Sequence, residues 1–575
     1  MVNLKIDGKA VCVKEGETIL QAAKEAGINI PTLCFLKDIN EIGACRVCLV
    51  EIAGVSKLLA ACNTEVSEGM EVYTNSPRVR NARKTNLQFI LSQHSSHCPT
   101  CIRSGNCELQ KLSEELNLIE LPFEPKIPRF SWDKYFPLVR DDRKCIKCMR
   151  CVNVCEKMQT LGIWEVNGSG SHCRVGTKNG VSIRKLNCAL CGQCITHCPT
   201  AALTARDDTE KVFAALDDEE KTVVFQIAPA VRSAWGEGIG LDKKLATEKR
   251  MASAARMLGA DYVFDTSFTA DLTILEEGNE LIENIKNGKT KDFPMFTSCC
   301  PGWVRFVKTE FPELCDKLST AKSPQQMFGA ITKTYFAEKT GIDKDKIFCV
   351  SVMPCVSKKY EADVSAINPE DSKDVDAVIT TREFDRMLKV ARIDVAKLDE
   401  CEFDSPLGEK TGAGVIFGST GGVMEAACRS AYYILTGKNP DPDFLTAIRP
   451  TKDNSGVREG ELKIGDVSVK VCAVSGLGNA RELVEKIIKG EKHYDFVEVM
   501  ACPGGCAGGG GQPICAGKEL AFERSKILYS LDKEDTVRFS HENPEVQKLY
   551  ADYLGKPLSE KAHQLLHTHQ SDWEI

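Results

Sequence analysis

The chain has 575 residues, 43% of them hydrophobic and 27% charged, with a formal net charge of −7. That length exceeds one hydrophobic core and predicts two to four domains of ordinary globular composition. No run of 18 apolar residues occurs, and MVNLKIDGKAVCVKEGE at the N-terminus lacks an apolar signal core and a twin arginine, so no membrane span and a reducing, cytoplasmic location are expected. The 28 cysteines, 17 of them within the first 198 residues at short spacings, therefore point to metal rather than disulfides. Residues 1–206 carry 27 basic and 20 acidic side chains, the remainder 47 and 61. Thiolate-bound clusters would offset the first excess. With no long Lys/Arg run or aromatic-interleaved basic stripe, nucleic acid is not an expected partner.

In chain order, VNLKIDGKAVCV reads as a hairpin and ETILQAAKEAG as an amphipathic helix stopped by Gly27. Cys34, Cys45, Cys48 and Cys62 follow. Their pattern resembles a plant-type 2Fe–2S ferredoxin. The first gap is ten residues rather than four, as in the ferredoxin-like domains of hydrogenases and of the large iron–sulfur subunit of complex I. A four-cysteine zinc site is the alternative. After a predicted helix, Val79–Gln93, come His94, Cys98, Cys101 and Cys107, with His97 a competing ligand by proximity. Spacing alone leaves a zinc knuckle open; resemblance to the same two families favours a 4Fe–4S cluster. Cys145, Cys148, Cys151, Cys155 and Cys188, Cys191, Cys194, Cys198 then repeat a two-cluster bacterial ferredoxin pattern. In such runs the fourth cysteine ligates the other cluster. One cube would thus take Cys145, Cys148, Cys151 and Cys198, and the other Cys188, Cys191, Cys194 and Cys155. Glu156 stands where the first run would normally have proline. One-electron centres in series imply long-range electron transfer to a buried site.

From about residue 210 the pattern changes. Strands are predicted over Val223–Val231 and Ala260–Phe268, and helices over Ala246–Leu258 and Leu272–Lys286. Further strands are read at PMFTSC, FCVSVMPC, DAVITTREF (Asp376–Phe384), VKVCAVSG and FVEVMAC, with a glycine-rich turn and helix over Gly412–Ala427. This alternation predicts mostly parallel sheets covered by helices on both faces. No GxGxxG follows a strand and no Walker A is present, so nucleotide binding is not expected in this chain. Ligands gather at strand ends in such sheets. Cys300, Cys355, Cys502 and Cys506, each at or just past such an end, are expected to converge on an iron–sulfur cluster. The glycines after Cys506 are expected to leave room for a bulky group.

TSCCPGW (Thr297–Trp303), MPCVSKKYE (Met353–Glu361) and MACPGGCAGGGGQP (Met500–Pro513) resemble the three signatures of the iron–iron hydrogenases, and the upstream motifs match their multi-cluster clostridial type. The resemblance covers nearly the whole chain. It implies a 2Fe–2S ferredoxin-like domain at 1–78, a one-His three-Cys 4Fe–4S domain at 79–125 and a two-cluster ferredoxin-like domain at 126–209. These small α+β domains precede an α/β catalytic domain at 210–575, with the H-cluster between two lobes and small-subunit-like helices at its C-terminus. The implied cofactors are one 2Fe–2S cluster, three accessory 4Fe–4S clusters and the H-cluster. In that family the H-cluster is a 4Fe–4S cube joined through a cysteine sulfur to a di-iron unit with carbon monoxide, cyanide and an azadithiolate bridge. Carried onto this sequence, the cube ligands are Cys300, Cys355, Cys502 and Cys506, the last bridging.

The resemblance also assigns Cys299, Glu277, Ser319 and Glu280 to a proton path, and Lys358 to a charge-assisted hydrogen bond with a cyanide. Met353, Met500, Phe417 and Gln325 would pack around the di-iron unit. A thiol suits proton relay because its pKa is tuned nearer neutrality than a hydroxyl's. Glu277 and Glu280, three apart on one helix, share a face. The residues alone leave other readings open: a small buried hydrophobe for Cys299, a solvated helix face for the glutamates, core packing for Phe417 and Gln325. Two departures are Pro503, where many stand-alone clostridial enzymes have histidine, and Ala230, where serine is common. Cys12, Cys173, Cys315, Cys349, Cys401, Cys428, Cys472 and Cys515 have no assigned role.

The implied activity is the reversible interconversion of H2 with protons and electrons under anaerobic conditions. The implied partners are ferredoxin, flavin- and NAD-binding subunits of an electron-bifurcating complex, and hydrogenase maturation proteins. A complex I–type electron-transfer subunit would explain residues 1–200 but leaves the three later motifs without purpose. A non-catalytic scaffold or sensor of the same fold is opposed by Cys299, Lys358 and the long N-terminal series of clusters.

Overall fold

The computed structural model describes residues 1–123, 127, 130–368, 372–452, 456–464, 467–515 and 518–573. The expected division at 125/126 lies outside the described residues. Packing separates two units: Met1–Leu186 with Gln193–Thr204, and Asn187–Gly192 with Ala205–Ile575.

In the first unit, β1 (Val2–Ile6), β2 (Lys9–Val13), β3 (Leu49–Ile52), β4 (Leu59–Ala60) and β5 (Glu71–Tyr73) form one sheet in the order β2-β1-β5-β3-β4. The β1–β2 hairpin turns at Asp7 and Gly8, both with positive φ (49° and 82°), as the twist of a two-residue hairpin requires. Helix Ile19–Glu25 starts at a capping box between Thr18 and Gln21. It buries Ile19, Ala22 and Ala23 against Leu4, Ile6 and Val50 of the sheet. The helix expected over Val79–Gln93 runs Pro77–Leu91, because Ser76 caps it by accepting the Val79 amide. Two short pairs complete the unit: β6 (Leu138–Arg140) with β9 (Leu203–Ala205), and β7 (Trp164–Asn167) with β8 (Arg174–Thr177).

The second unit holds two four-stranded sheets. Its strands are β10 (Thr222–Ile227), β11 (Tyr262–Asp265), β12 (Met295–Phe296), β13 (Ile347–Met353), β14 (Ala377–Thr380), β15 (Val457–Ile464), β16 (Val467–Ser475) and β17 (Phe496–Met500). The order β11-β10-β13-β14 is wholly parallel; β12-β17-β16-β15 is parallel except for the β15–β16 hairpin. All seven residues of β13 are buried, the continuous apolar run of a strand covered on both faces.

Several strands are shorter than expected. The Val223–Val231 strand ends at Ile227, and Pro229 opens a 3₁₀ turn through Ser233. Of Ala260–Phe268 only Tyr262–Asp265 is strand. Asp265 accepts the Ser267 amide as N-cap, so a 21-residue helix starts at Thr266 and runs to Lys286. Within Asp376–Phe384 only β14 is extended, for Thr380 and Glu383 form a capping box that starts helix Thr381–Val390. Among the described residues no helix is long and apolar enough to cross a membrane.

Candidate active site

Each cysteine motif leaves the C-terminal end of a parallel strand. Past β12 the chain reaches Cys299 and Cys300, and Cys300 precedes helix Pro301–Glu310. Past β13 it reaches Cys355, before the short helix Ser357–Glu361. Past β17 it reaches Cys502, then turns through Gly504 and Gly505, both with positive φ, to Cys506. A cavity opens where these ends meet. Cys299, Cys300, Cys355 and Cys506 line it, with Met353, Met500, Phe417, Gln325 and Lys358. Cys502 lies beside this group, close enough to raise the pKa of Cys506 by repulsion.

Burial, then the charge of Cys300, pushes the Cys355 thiol up to about 11. Burial and three neighbouring sulfurs push Cys506 far higher. Four crowded sulfurs in an apolar pocket lose their protons only to a compensating positive charge, and soft thiolate donors select iron–sulfur centres. The donor set fits such a cluster.

Among the described residues that line the cavity, Lys358 is the one cation. Burial opposes its charge, but Glu361 at 2.8 Å outweighs that, aided by the sulfurs of Cys355 and Cys299, and its pKa is raised. Its Nζ also donates to the Cys299 carbonyl at 3.1 Å. Glu361 in turn accepts from Ser323 Oγ (2.9 Å) and Gln325 Nε2 (3.1 Å), and Gln325 Oε1 accepts from Ser351 Oγ (3.0 Å). Glu361 was not among the residues singled out from sequence, although its place three after Lys358 on a helix was a readable sign of a pair.

Cys299 is buried, and its thiol lies well above its ordinary pKa: burial is the main cause, then the charge of Glu277. Burial, then repulsion from Glu280, lifts the Glu277 carboxyl to about 8, against the opposing pull of hydrogen bonding from Ser319 and the Ser298 backbone. At neutral pH Glu277 holds its proton and has one to give. Ser319 Oγ donates to Glu280 Oε2 at 2.6 Å.

The glycines after Cys506 do not make room. A Cβ on Gly509 would stand 2.2 Å from the Pro354 carbonyl, one on Gly511 2.7 Å from the Pro354 carbonyl carbon, and one on Gly510 2.4 Å from the Cys191 carbonyl. These glycines let the loop close onto the Cys355 motif and onto the segment Asn187–Gly192. There Cys502 Sγ donates to the Cys191 carbonyl at 3.5 Å.

In the first unit, Cys34, Cys45, Cys48 and Cys62 act on one another's charge. A hydrogen bond from Cys45 brings Cys34 down to about 7, and one from Cys62 lowers Cys48. Of the two histidines, His94 is buried with Nδ1 unpartnered and its pKa lowered by burial, whereas His97 is exposed. A neutral buried imidazole is ready to ligate. Cys98, Cys101 and Cys107 are half-buried nearby in sequence. Cys145, Cys148, Cys151 and Cys198 line one cavity together with Arg140. Sequence reasoning missed Arg140, which lies five residues before the first cysteine and outside the motif. Cys155 and Cys194 are buried in the first unit, and Cys188 and Cys191 lie on the segment that packs with the second.

Strand-end sulfurs around an apolar cavity, with cysteine sets in ferredoxin spacing upstream, define an iron–sulfur oxidoreductase. The family profile "iron only hydrogenase large subunit, C-terminal domain" matches residues 221–510 and "iron hydrogenase small subunit" 518–572. Upstream, a 2Fe–2S iron–sulfur cluster binding domain matches 1–77, the NADH-ubiquinone oxidoreductase-G iron–sulfur binding region 83–121, and a 4Fe–4S dicluster domain 144–202. The NADP-reducing hydrogenase subunit HndD of Solidesulfovibrio fructosivorans is 45% identical over 99% of this chain and 98% of its own. Iron hydrogenase 1 of Clostridium pasteurianum is 40% identical over 99% of both. Among solved structures, an apo FeFe-hydrogenase HydA1 of Chlamydomonas reinhardtii is 40% identical, with a TM-score of 0.57, over 63% of this chain and 98% of that one.

The chain belongs to the iron–iron hydrogenases. It is an oxidoreductase that interconverts H2 with protons and electrons, with an H-cluster domain preceded by 2Fe–2S and 4Fe–4S binding domains.

Proposed function

We propose that Cys300, Cys355, Cys502 and Cys506 hold the cube of the H-cluster, with Cys506 bridging, and that Cys299, Glu277, Ser319 and Glu280 move protons between the cavity and the surface. The cavity at the three strand ends, lined by Cys299, Cys300, Cys355 and Cys506, is the observation that carries this reading. When bound, the cluster supplies an iron with an open position and an electron store beside it. The protein's part is to exclude water and to handle protons. Met353, Met500 and Phe417 wall the cavity with soft, apolar surface. Lys358, held by Glu361, presents a fixed positive charge to anionic ligands. Cys299 Sγ holds a proton, Glu277 replaces it from its own carboxyl, and Ser319 links that carboxyl to Glu280.

We assign one 2Fe–2S cluster to Cys34, Cys45, Cys48 and Cys62, and a 4Fe–4S cluster to His94, Cys98, Cys101 and Cys107. Two more fall to the ferredoxin-like cysteines in the pairing given above. The domain limits 1–78, 79–125, 126–209 and 210–575 follow these sets. Electrons pass to ferredoxin or to flavin- and NAD(P)-binding subunits of a larger complex. The 45% identity to a subunit of an NADP-reducing hydrogenase supports the second. Anaerobic co-purification decides: a chain that runs alone and reduces ferredoxin at full rate excludes the complex.

Protein matured anaerobically should show infrared bands of metal-bound carbon monoxide and cyanide and turn over H2 with a viologen dye. Absence of both after maturation would sink the site assignment. Cys299→Ser should keep the bands while turnover falls by about 10²-fold or more, the scale of a lost general acid–base group.

A further inference from the structure

Hydrogen bonds continue outward from Glu280 into the C-terminal segment. Besides Ser319 Oγ, Glu280 accepts from the Thr320 amide and from Thr320 Oγ1, both at 3.0 Å. Thr320 Oγ1 lies 2.8 Å from His567 Nδ1, and His567 Nε2 lies 3.0 Å from Glu276 Oε2. Glu276 also accepts from the Leu558 amide at 2.9 Å and from the Tyr550 hydroxyl. Backbone contacts hold the two segments in register: Ala321 bridges His567, the Lys322 amide donates to the Leu566 carbonyl, and the Thr568 amide donates to the Thr320 carbonyl. The His567 side chain is 5% exposed. Beside it stands the exposed His563, ring centroid to ring centroid 4.4 Å.

A threonine hydroxyl has one proton, and Thr320 gives it to Glu280, so towards His567 it accepts. Nδ1 is then a donor. An ionised Glu276 accepts from all sides, so Nε2 is a donor as well. Every bond is satisfied when the imidazole carries both ring protons, between Glu276 on one side and Glu280, through Thr320, on the other. If the Thr320 hydroxyl turns to donate to Nδ1 instead, His567 is neutral. The two arrangements differ by one proton and one hydroxyl rotation. A purely structural clamp between the C-terminal segment and helix Thr266–Lys286 needs the His567–Glu276 pair, and has no use for the link to Glu280.

We propose that His567 is the outer proton carrier of this enzyme, exchanging with Glu280 through Thr320 Oγ1 and with solvent beside His563. In the inward direction the Nδ1 proton passes to Thr320 Oγ1, whose own proton passes to Glu280. This leaves a neutral imidazole and a neutral carboxyl, and solvent then restores the imidazolium. The proposal rests on Glu280 belonging to the proton path.

Matured H567A and T320V should keep the carbon monoxide and cyanide bands and lose about tenfold in turnover. Added imidazole should restore H567A in a concentration-dependent way and leave T320V unchanged. In metal-free protein labelled with ¹⁵N at its nine histidines, the ring signals missing from H567Q should report a proton on Nδ1. Native turnover in H567A overturns the proposal, as does a loss that H567Q repairs fully, or a ring whose Nδ1 carries no proton. If H567A does not fold, T320V and the ring signals carry the test. Native turnover in E280Q would instead remove Glu280 from the path; loss in E280Q with none in H567A or T320V would remove His567 alone.

Discussion

Arg140 is held on three sides. Nε donates to Asp142 at 2.8 Å, Nη2 reaches the Val175 carbonyl, and the guanidinium lies 5.3 Å from the centre of the Trp164 ring. Nη1 is buried with no partner, and the side chain lines the cavity of Cys145, Cys148, Cys151 and Cys198. A fixed donor beside cluster sulfurs stabilises the reduced, more negative state. Arg140→Gln should therefore move that cluster's midpoint to more negative potential in an anaerobic redox titration followed by electron paramagnetic resonance. A tenfold change in the reduction equilibrium is about 59 mV, and an unmoved midpoint would exclude the contact. The Lys358–Glu361 pair permits a second substitution. Glu361→Gln strands a buried ammonium, a loss on the order of 3–5 kcal/mol, to be read as a lower Tm of the metal-free protein. At this scale the cysteines were legible because a cluster's ligand spacing is written locally. Arg140, Glu361 and His567 were not, since each acts on a partner that only folding or an unremarked helical offset supplies.

Among the elements, the strand cores were legible and their boundaries with the following turns and helices were not. Tyr262–Phe268 has the β-branched and aromatic residues of a strand, yet Asp265 caps a helix in its middle. Capping competes with propensity, and packing of that helix against the core decided it. Strand β15 went unread because VREGELKI alternates charge with apolar side chains at a sheet edge, outside the runs sought for a parallel core. The glycine loop gives a sharp test. Gly510→Ala would place a methyl against backbone atoms of Cys191 and Gly192, which cannot move aside as a side chain can. The expected loss is about 1–3 kcal/mol of stability, with less iron retained on anaerobic reconstitution. Gly278→Ala, inside helix Thr266–Lys286 with nothing within 4 Å of the new Cβ, should instead raise Tm, by up to about 1 kcal/mol of helix propensity.

Across the whole molecule, buried carboxyls set how stability depends on pH. Burial pushes Asp271, Asp385 and Glu498 up to about 7 and Glu277 up to about 8. A folded pKa above the unfolded value of about 4 means that the native state binds more protons between those values. These groups contribute stability that is fully present below about pH 4 and lost as pH rises through 7–8. Metal-free protein should thus melt lower at pH 8.5 than at pH 6. Asp385→Asn, far along the chain from the cysteine motifs, should flatten the slope; an equal slope would show that Asp385 is ionised throughout.

The short segment Asn187–Gly192 has a further consequence. Because it packs with the second unit while residues on either side pack with the first, the chain crosses between the units at Leu186/Asn187, Gly192/Gln193 and Thr204/Ala205. A single proteolytic nick at the last crossing yields two polypeptides, but the upstream one keeps the six-residue segment that packs with the second unit, Cys191 and Gly192 of it against Gly510. The fragments should migrate together on a native gel and separate only in denaturant, so one cut does not make two proteins.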